Sequence, residues 1–294
     1  IMLLEQEMTL GNWFPRWAPD AMHGYGIPLF TFIWGLPYYL GVLLVKMGLT
    51  YPIMHKLLFT IPIITAWIGT YHWIRVRYST TIAVVAATTY TWTPYFFLVL
   101  FVRNAIGEVY FLAILPWVLY CLDTYHKPAI KYLGMISVAL LIYSHNALSL
   151  FAIGGILAYS LFQYYQSSNK SQFIYQLAII IGGILLMGFF IVPALIYHTL
   201  LNNAQVDHIP FPPWQALLRS RWEGGSIING QVLIMSYQIG LAHLMIVISS
   251  IIMVILAQFR SNKRIPKLVS HIIDIKKIDS KSLIFWLLGY GITL

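Results

Sequence analysis

The chain has 294 residues, of which 59% are hydrophobic and only 9% charged, and its mean hydropathy is +0.75. A soluble domain carries about 25% charged residues, so this composition excludes a soluble globular protein, and the lack of alternating strand patterns excludes a β-barrel. In a membrane protein the formal charge of +9 first indicates which loops face the cytoplasm, and we expect no nucleic-acid partner.

Apolar runs of about 20 residues predict an all-α integral membrane protein, a polytopic helical bundle of about 7–9 spans. The predicted spans lie at 52–74, 79–101, 106–123, 130–144, 147–165, 173–197 and 237–259. A further apolar run begins at residue 283 and continues to the last residue, and the first residue is Ile1. We therefore expect the chain to be part of a longer protein.

The run Ile27–Leu49 is long enough to cross a membrane, but prolines and glycines interrupt its first half. It is either a span or a broken juxtamembrane element along the interface. The predicted organisation has four parts: an outer loop with a juxtamembrane helical element at 1–51, a transmembrane core at 52–259 with a long outer loop at 198–236, a basic cytoplasmic linker at 260–282, and the start of a further span at 283–294.

Basic residues are concentrated in the loops that alternate to one side of these spans. Those loops hold Arg75, Arg77, Lys127, Lys131, Lys170, Arg260, Lys263, Arg264, Lys267, Lys276, Lys277 and Lys281. The positive-inside bias places that side in the cytoplasm. We therefore expect a multi-pass protein of the cell (plasma) membrane, with its irregular and acidic segments on the outer side.

A first polar cluster, Arg16, Asp20 and His23, falls on a segment bent by proline and glycine. Arg16 is suited to grip a phosphate, and Asp20 or His23 to act as an acid or base. The alternative is an interfacial loop in which Arg16 and Asp20 form an ion pair.

Two further clusters lie where predicted spans meet on the outer side. Arg103 and Glu108 are candidates for binding and orienting a phosphate, or they neutralise each other at a helix turn. His145 and Asn146 are candidates for hydrogen bonds to a sugar or phosphate, or His145 ties helix ends together.

The long outer loop contributes Trp222 and Glu223 as candidate substrate-binding residues. Glu223 offers a carboxylate, and Trp222 offers a ring that stacks on a sugar face. As plain interfacial anchors, such aromatic residues need no substrate. The histidines lack metal-ligand spacing and no cofactor is indicated, although a divalent metal stays an open alternative.

The order of these short motifs resembles bacterial and archaeal membrane proteins labelled "6-pyruvoyl-tetrahydropterin synthase-related domain". The motifs are Phe14-Pro-Arg-Trp17, Gly24-Tyr-Gly-Ile-Pro28, Arg103-Asn-Ala-Ile-Gly-Glu108, Ser144-His-Asn146, Trp222-Glu-Gly-Gly225 and Ser236-Tyr-Gln-Ile-Gly240. The chain has no His-rich zinc site of a soluble pterin synthase, so no pterin chemistry follows from the label.

That family is similar in architecture to GT-C glycosyltransferases, which take a sugar from a polyprenyl-phosphate carrier at the outer membrane face. The resemblance implies a polyprenyl-phosphate-linked sugar and membrane lipids as partners. It also implies an acidic catalytic residue in the first outer loop, at a position just upstream of Ile1, with Asp20 as the second choice.

The leading hypothesis is therefore an inverting sugar transfer at the outer membrane face. Asp20 and Glu108 are the candidate catalytic residues, and Arg16, His23, Arg103, His145, Asn146, Trp222 and Glu223 are the candidate substrate-binding residues. The alternatives are a transporter or flippase of lipid-linked or polar substrates and a non-catalytic protein of envelope assembly. A transporter predicts polar residues in the middle of several spans.

Overall fold

The computed structural model describes residues 1–125 and 127–200, together with residues 215, 227–228, 231–232, 243–245, 248–249 and 252. The α-helices of this part are α1 (Met2–Thr9), α2 (Leu29–Phe32), α3 (Leu36–Lys46), α4 (Tyr51–Arg75), α5 (Thr80–Thr91), α6 (Pro94–Phe97), α7 (Ile106–Asp123), α8 (Pro128–Ser144), α9 (Asn146–Ser167), α10 (Lys170–Leu186) and α11 (Gly188–Tyr197).

The chain divides into two compact units. The first comprises Ile1–Trp92 and Leu98–Ile209, and the second comprises Thr93–Phe97 and Pro210–Leu294. The described elements of the second unit are α6 and two short antiparallel strands, β1 (Ile227–Ile228) and β2 (Gln231–Val232). All the helices discussed below belong to the first unit.

Three helices, α4, α7 and α9, are long and apolar enough to cross a membrane, and the number rises to five if each of two bent helix pairs is one span. At 1.5 Å per residue, the 18 residues of α7 extend about 27 Å, close to the thickness of a bilayer core. The protein is therefore a helical membrane protein. The predicted helices at 52–74, 106–123, 130–144 and 147–165 are confirmed, with end shifts of at most two residues.

Two predicted spans are interrupted. The run 79–101 contains α5, which ends at Thr91 before Pro94, and the run 173–197 is divided at Met187 into α10 and α11. The axes of α10 and α11 differ by 62°. Glycine and proline commonly cause such bends, and α11 begins at Gly188 and contains Pro193. The predicted span 237–259 falls mostly outside the described residues, and the segments 260–282 and 283–294 lie wholly outside them.

The run Ile27–Leu49 is the broken element and not a continuous span. It contains only α2, with four residues, and α3, with eleven. Eleven residues extend about 16 Å, too short to cross a bilayer. Gly35 precedes α3 as its N-cap, Pro37 lies in its first turn, and Gly48, with a φ of 90°, follows its end.

Helices pack closely where glycine replaces a larger residue. A Cβ added to Gly69 of α4 would overlap the Trp117 ring of α7, and one added to Gly183 of α10 would overlap Val138 of α8. Small residues let membrane helices approach in this way. They help to build the main stack, in which α4 packs against α5 and α7, and α8 against α7 and α10.

Three prolines lie inside described helices, Pro62, Pro116 and Pro193, and each leaves one carbonyl without a helical donor. At Pro116 and Pro193, a side chain from a distant part of the chain donates to that carbonyl. Pro116 has no N–H for the Leu112 carbonyl four residues earlier, and the Tyr90 hydroxyl of α5 donates to that oxygen at 2.8 Å. In the same way Pro193 has no N–H for the Phe189 carbonyl four residues earlier, and the Arg16 guanidinium donates to that oxygen. Arg16 therefore fastens the N-terminal segment to α11.

A double-mutant cycle tests the first of these pairs. We expect Tyr90→Phe to reduce the free energy of unfolding by about 1 kcal/mol. In a Pro116→Ala background the same change should have a clearly smaller effect, because alanine restores a backbone N–H that serves the Leu112 carbonyl. Unfolding in a denaturing detergent measures both values. Equal losses in the two backgrounds would show that the hydroxyl does not compensate for the proline.

The first unit has two polar ends, which we call the Arg103 end and the Asp123 end. Helix α7 runs from Glu108 in its first turn to Asp123 at its last residue. Trp73 near the end of α4 and Gln163 near the end of α9 both donate to Asp123. The helices α4, α7 and α9 therefore run in one direction, and α8 returns the chain to the Arg103 end, where Ser144 lies against Gly107.

Candidate functional site

The Arg103 end is built around a bidentate ion pair. The two terminal nitrogens of Arg103 donate to the two carboxylate oxygens of Glu108 at 2.7 and 2.6 Å. Glu108 lies in the first turn of α7, where the helix dipole favours a negative charge. The side chain of Glu108 is 9% exposed and that of Arg103 is 35% exposed. The observed arrangement is thus the mutual neutralisation that the sequence left open.

Gly107 brings two aromatic rings close to this ion pair. A Cβ at Gly107 would overlap the Trp34 indole and would lie 2.7 Å from the Ser144 carbonyl oxygen. Trp34 in turn stacks on the His145 ring, with 4.5 Å between ring centroids and 15° between planes. The buried Trp34 Nε1 has no hydrogen-bond acceptor among the described residues. The sequence did not indicate Trp34, because only the fold brings it to His145.

His145 is the N-cap residue immediately before α9, and a hydrogen bond from that helix holds its ring. The Leu148 N–H donates to His145 Nδ1 at 3.3 Å, so the ring caps the helix and the neutral tautomer carries its proton on Nε2. Burial lowers the pKa of His145, the Arg103 charge lowers it further, and Glu108 opposes both. His145 is therefore a neutral ring whose Nε2–H is a donor.

Asn146 also connects helix ends. Its Nδ2 donates to the Phe32 carbonyl at 3.1 Å, and its Oδ1 accepts from the Ala147 N–H. These contacts match the alternative in which His145 and Asn146 connect helix ends. They hold α9 against the segment that carries Trp34.

The lowered pKa of His145 predicts a pH dependence of stability. In the unfolded chain the His145 imidazole binds a proton near pH 6.5, whereas in the folded chain it does so only at lower pH. The free energy of unfolding should therefore fall as the pH drops below about 6.5. His145→Asn keeps a good helix cap and removes the titration. We expect the variant to lose less stability than the parent between about pH 7 and about pH 5. Parallel pH profiles would contradict this prediction.

Arg16 lies in a separate pocket beside this cluster. Phe14, Pro15, Arg16, Tyr38, Tyr39, Tyr143, Phe189 and Phe190 contribute to its walls. Gly35 also lines the pocket, and it follows Trp34 in the chain. Within the described residues, no carboxylate lies within ion-pair distance of Arg16. Its one side-chain hydrogen bond there goes to the Phe189 carbonyl.

The remaining candidates do not join these residues. Asp20 accepts from Gln6 Nε2 at 2.6 Å and is exposed, so the expected alternative of an Arg16–Asp20 pair is wrong. His23 is exposed, with a φ of 60°, and no described contact connects it to Glu108 or His145. Trp222 and Glu223 lie outside the described residues.

A second polar cluster, absent from the sequence-based candidates, occupies the Asp123 end. Asp123 Oδ1 accepts from Arg77 at 2.9 Å, from the Tyr159 hydroxyl at 2.6 Å and from Gln163 at 2.7 Å. Its Oδ2 accepts from Trp73 Nε1 at 3.1 Å. The Asp123 side chain is 1% exposed. Burial lowers the pKa of Arg77, but the Asp123 carboxylate and nearby hydroxyls outweigh it, and the net pKa is raised.

Three glutamines extend this cluster into α10. Gln172 and Gln176 both donate to Gln163 Oε1, at 2.6 and 2.9 Å, and Gln176 also donates to the Leu122 carbonyl. The cluster therefore joins α4, α7, α9 and α10 and acts as a structural connection. In the described part of the chain, no group of three His, Cys, Asp or Glu residues forms a metal site.

Comparisons with protein-family models, curated proteins and solved structures find no match to this chain. Its function is therefore inferred from the sequence and from the geometry of the site.

Proposed function

We propose that this protein transfers a sugar from a polyprenyl-phosphate donor at the outer face of the plasma membrane. In this proposal the chain is a GT-C-like bundle of about 7–9 spans, with the Arg103 end outside and the Asp123 end in the cytoplasm. The distribution of charge supports this orientation. The described loops and helix ends on the Asp123 side carry Arg75, Arg77, Lys127, Lys131 and Lys170, against the single acid Asp123.

One observation carries the proposal: Arg16 lies in an aromatic pocket, and no carboxylate of the described residues is within ion-pair distance of it. Arg103 has its charge neutralised by Glu108, whereas Arg16 donates to a neutral carbonyl. A guanidinium has five N–H donors and matches the geometry of a phosphate. Tyr39 and Tyr143 place hydroxyl groups near it. We therefore assign the lipid phosphate to Arg16 rather than to Arg103.

The proposed reaction is a single displacement. The acceptor hydroxyl attacks the anomeric carbon, the bond from that carbon to the phosphate oxygen breaks, and the lipid phosphate leaves with the electron pair. A carboxylate takes the hydroxyl proton. Asp20 does not line the Arg16 pocket, but it is the better candidate of the two, because it is exposed and accepts from a neutral amide, whereas Glu108 is held by Arg103.

The other residues of the Arg103 end have positioning roles in this proposal. His145 offers its Nε2–H to a sugar or phosphate oxygen, and Trp34 holds the ring in place by stacking. Glu108 orients Arg103 and the first turn of α7. The contribution of these groups is the orientation of the two substrates and the stabilisation of the departing charge.

The transporter alternative has less support. Of the buried polar side chains in the described spans, Thr70, Ser137 and Ser160 donate to carbonyls of their own helices. The buried glutamines of α9 and α10 belong to the cluster at the Asp123 end. A polar pathway through the middle of the spans, which a transporter needs, is not present among these residues.

A transfer assay with the full chain in liposomes tests the proposal. The substrates are polyprenyl-phosphate sugars, and released polyprenyl phosphate is the product measured. We expect Arg16→Gln, which keeps a donor for the Phe189 carbonyl, to lower kcat/KM by about 100-fold. Lys56→Gln removes an exposed cation of α4 and serves as the control with unchanged activity. Equal activity of Arg16→Gln and the parent would refute the assignment.

A further inference from the structure

The N-terminal segment carries an unusual apolar surface. Residues 10–25, which we call the aromatic loop, expose large hydrophobic side chains at the protein surface. These are Leu10, Trp13, Phe14, Trp17, Met22 and Tyr25, and the last two are 65% and 88% exposed. Soluble surfaces seldom collect so many large apolar groups in so short a segment, and such patches indicate an interaction with a protein or a membrane.

The aromatic loop is held in one conformation by contacts with distant residues. Ala18 and Ile27 form an isolated antiparallel bridge, Thr31 donates to the Arg16 carbonyl, and Tyr39 donates to the Trp13 carbonyl. At its tip Met22 has a φ of 53°, a left-handed conformation that is unfavourable for a bulky residue. The exposed side chains therefore belong to a fixed surface.

Charged groups of the loop are bound by the protein. Arg16 donates to the Phe189 carbonyl, and Asp20 accepts from Gln6. Among the described residues, two charged groups from outside the loop contact it: the Glu7 carboxylate accepts from Asn12 Nδ2 at 3.0 Å, and the Lys46 ammonium lies 5.8 Å from the centroid of the Trp13 ring. A surface of tryptophan, tyrosine and phenylalanine beside a lysine is typical of the lipid headgroup region.

The position of the loop agrees with its composition. Glu5, just before the loop, accepts from the Tyr51 hydroxyl in the first turn of the spanning helix α4. The same turn exposes Ile53, so the apolar face of a membrane span continues to this level. The end of a span lies at the membrane interface.

We propose that the aromatic loop lies in the lipid interface, with Trp13, Trp17, Met22 and Tyr25 among the headgroups. This position of the loop does not depend on catalytic activity. A consequence does rest on the proposed function: Phe14 belongs to the loop and also lines the Arg16 pocket, so a lipid-linked phosphate enters that pocket from the side of the membrane.

Spin labels at single cysteines test this position of the loop. Cys121 is the one cysteine of the sequence and is buried, so Cys121→Ala provides a background for Met22→Cys and Tyr25→Cys. Leu150→Cys on the exposed face of α9 and Lys127→Cys in an exposed loop are the lipid and water references. In liposomes, collision rates with oxygen and with a water-soluble nickel chelate give the depth of each label.

We expect the oxygen-to-nickel ratios at Met22 and Tyr25 to lie between those of the two references, as for groups about 5–10 Å deep. A ratio equal to that at Lys127 would place the loop in water and overturn the proposal. Low collision rates with both reagents would also overturn it, since they indicate a protein partner or a second copy on the loop. Transfer activity is measured separately, so a result that refutes the position of the loop does not refute the proposed sugar transfer, and the reverse also holds.

Discussion

Asp123→Ala should reduce the free energy of unfolding by about 3 kcal/mol or more, the largest effect we expect from any single substitution in the described residues. The change removes the shared acceptor of Arg77, Tyr159, Gln163 and Trp73 at once. Each donor then loses its Asp123 acceptor in a region from which water is largely excluded. Denaturing-detergent unfolding of the purified chain measures the loss.

Two variants separate the contributions within this cluster. Tyr159→Phe removes a single hydrogen bond to Asp123 and should lower the free energy of unfolding by about 1 kcal/mol. Asp123→Asn keeps the shape of the side chain but removes its negative charge. It also replaces one acceptor oxygen with an NH₂ group that faces other donors, so the loss in the free energy of unfolding should be nearly as large as for Asp123→Ala. If Asp123→Ala unfolded like the parent chain, the cluster would not connect the four helices.

Gly107→Ala should be the most damaging small substitution at the Arg103 end, with an expected loss of about 1–3 kcal/mol in the free energy of unfolding. The added methyl group would overlap the Trp34 indole and approach the Ser144 backbone. A backbone carbonyl cannot move aside as a flexible side chain does. The Trp34–His145 stack should therefore open, and transfer activity should fall with it.

Gly155→Ala is the matched control, because the same change should there have the opposite sign. No described atom lies within 4 Å of a Cβ at Gly155, which is inside α9. Alanine is favoured over glycine in a helix by about 0.8–1 kcal/mol, so this variant should be slightly more stable. Equal effects of the two substitutions would mean that the close approach at Gly107 is absent.

The sequence predicts the spans well where an apolar run ends in polar residues. The run 106–123 matches α7 at both ends, since Arg103 and Asp123 mark them. The breaks at Thr91 and Met187 were not predicted, because Pro94 and Gly188 lie inside runs that remain apolar throughout. Hydropathy records the lipid environment of a segment, whereas a bend depends on individual backbone donors.

Only part of the candidate site could be predicted from the sequence, because local spacing indicates near neighbours but not long-range partners. Glu108 follows Arg103 by five residues, so local spacing was sufficient to suggest their pairing. The pair expected between Arg16 and Asp20 does not form, because the Phe189 carbonyl, 173 residues away from Arg16, takes the guanidinium. Asp123 was missed since Arg77 and Gln163 are 46 and 40 residues from it. Long-range partners of this kind leave no pattern in one sequence.

Binding of a polyprenyl phosphate to the full chain tests the central claim most directly. The probe is a short-chain polyprenyl phosphate, and the matched control ligand is the corresponding polyprenol, which has the same lipid but no phosphate. With Arg16 as the phosphate site, the parent chain should bind the phosphate at least about tenfold more tightly than the alcohol, and Arg16→Gln should abolish that difference. Equal affinity of the parent for the two ligands, or an unchanged preference in Arg16→Gln, would contradict the assignment.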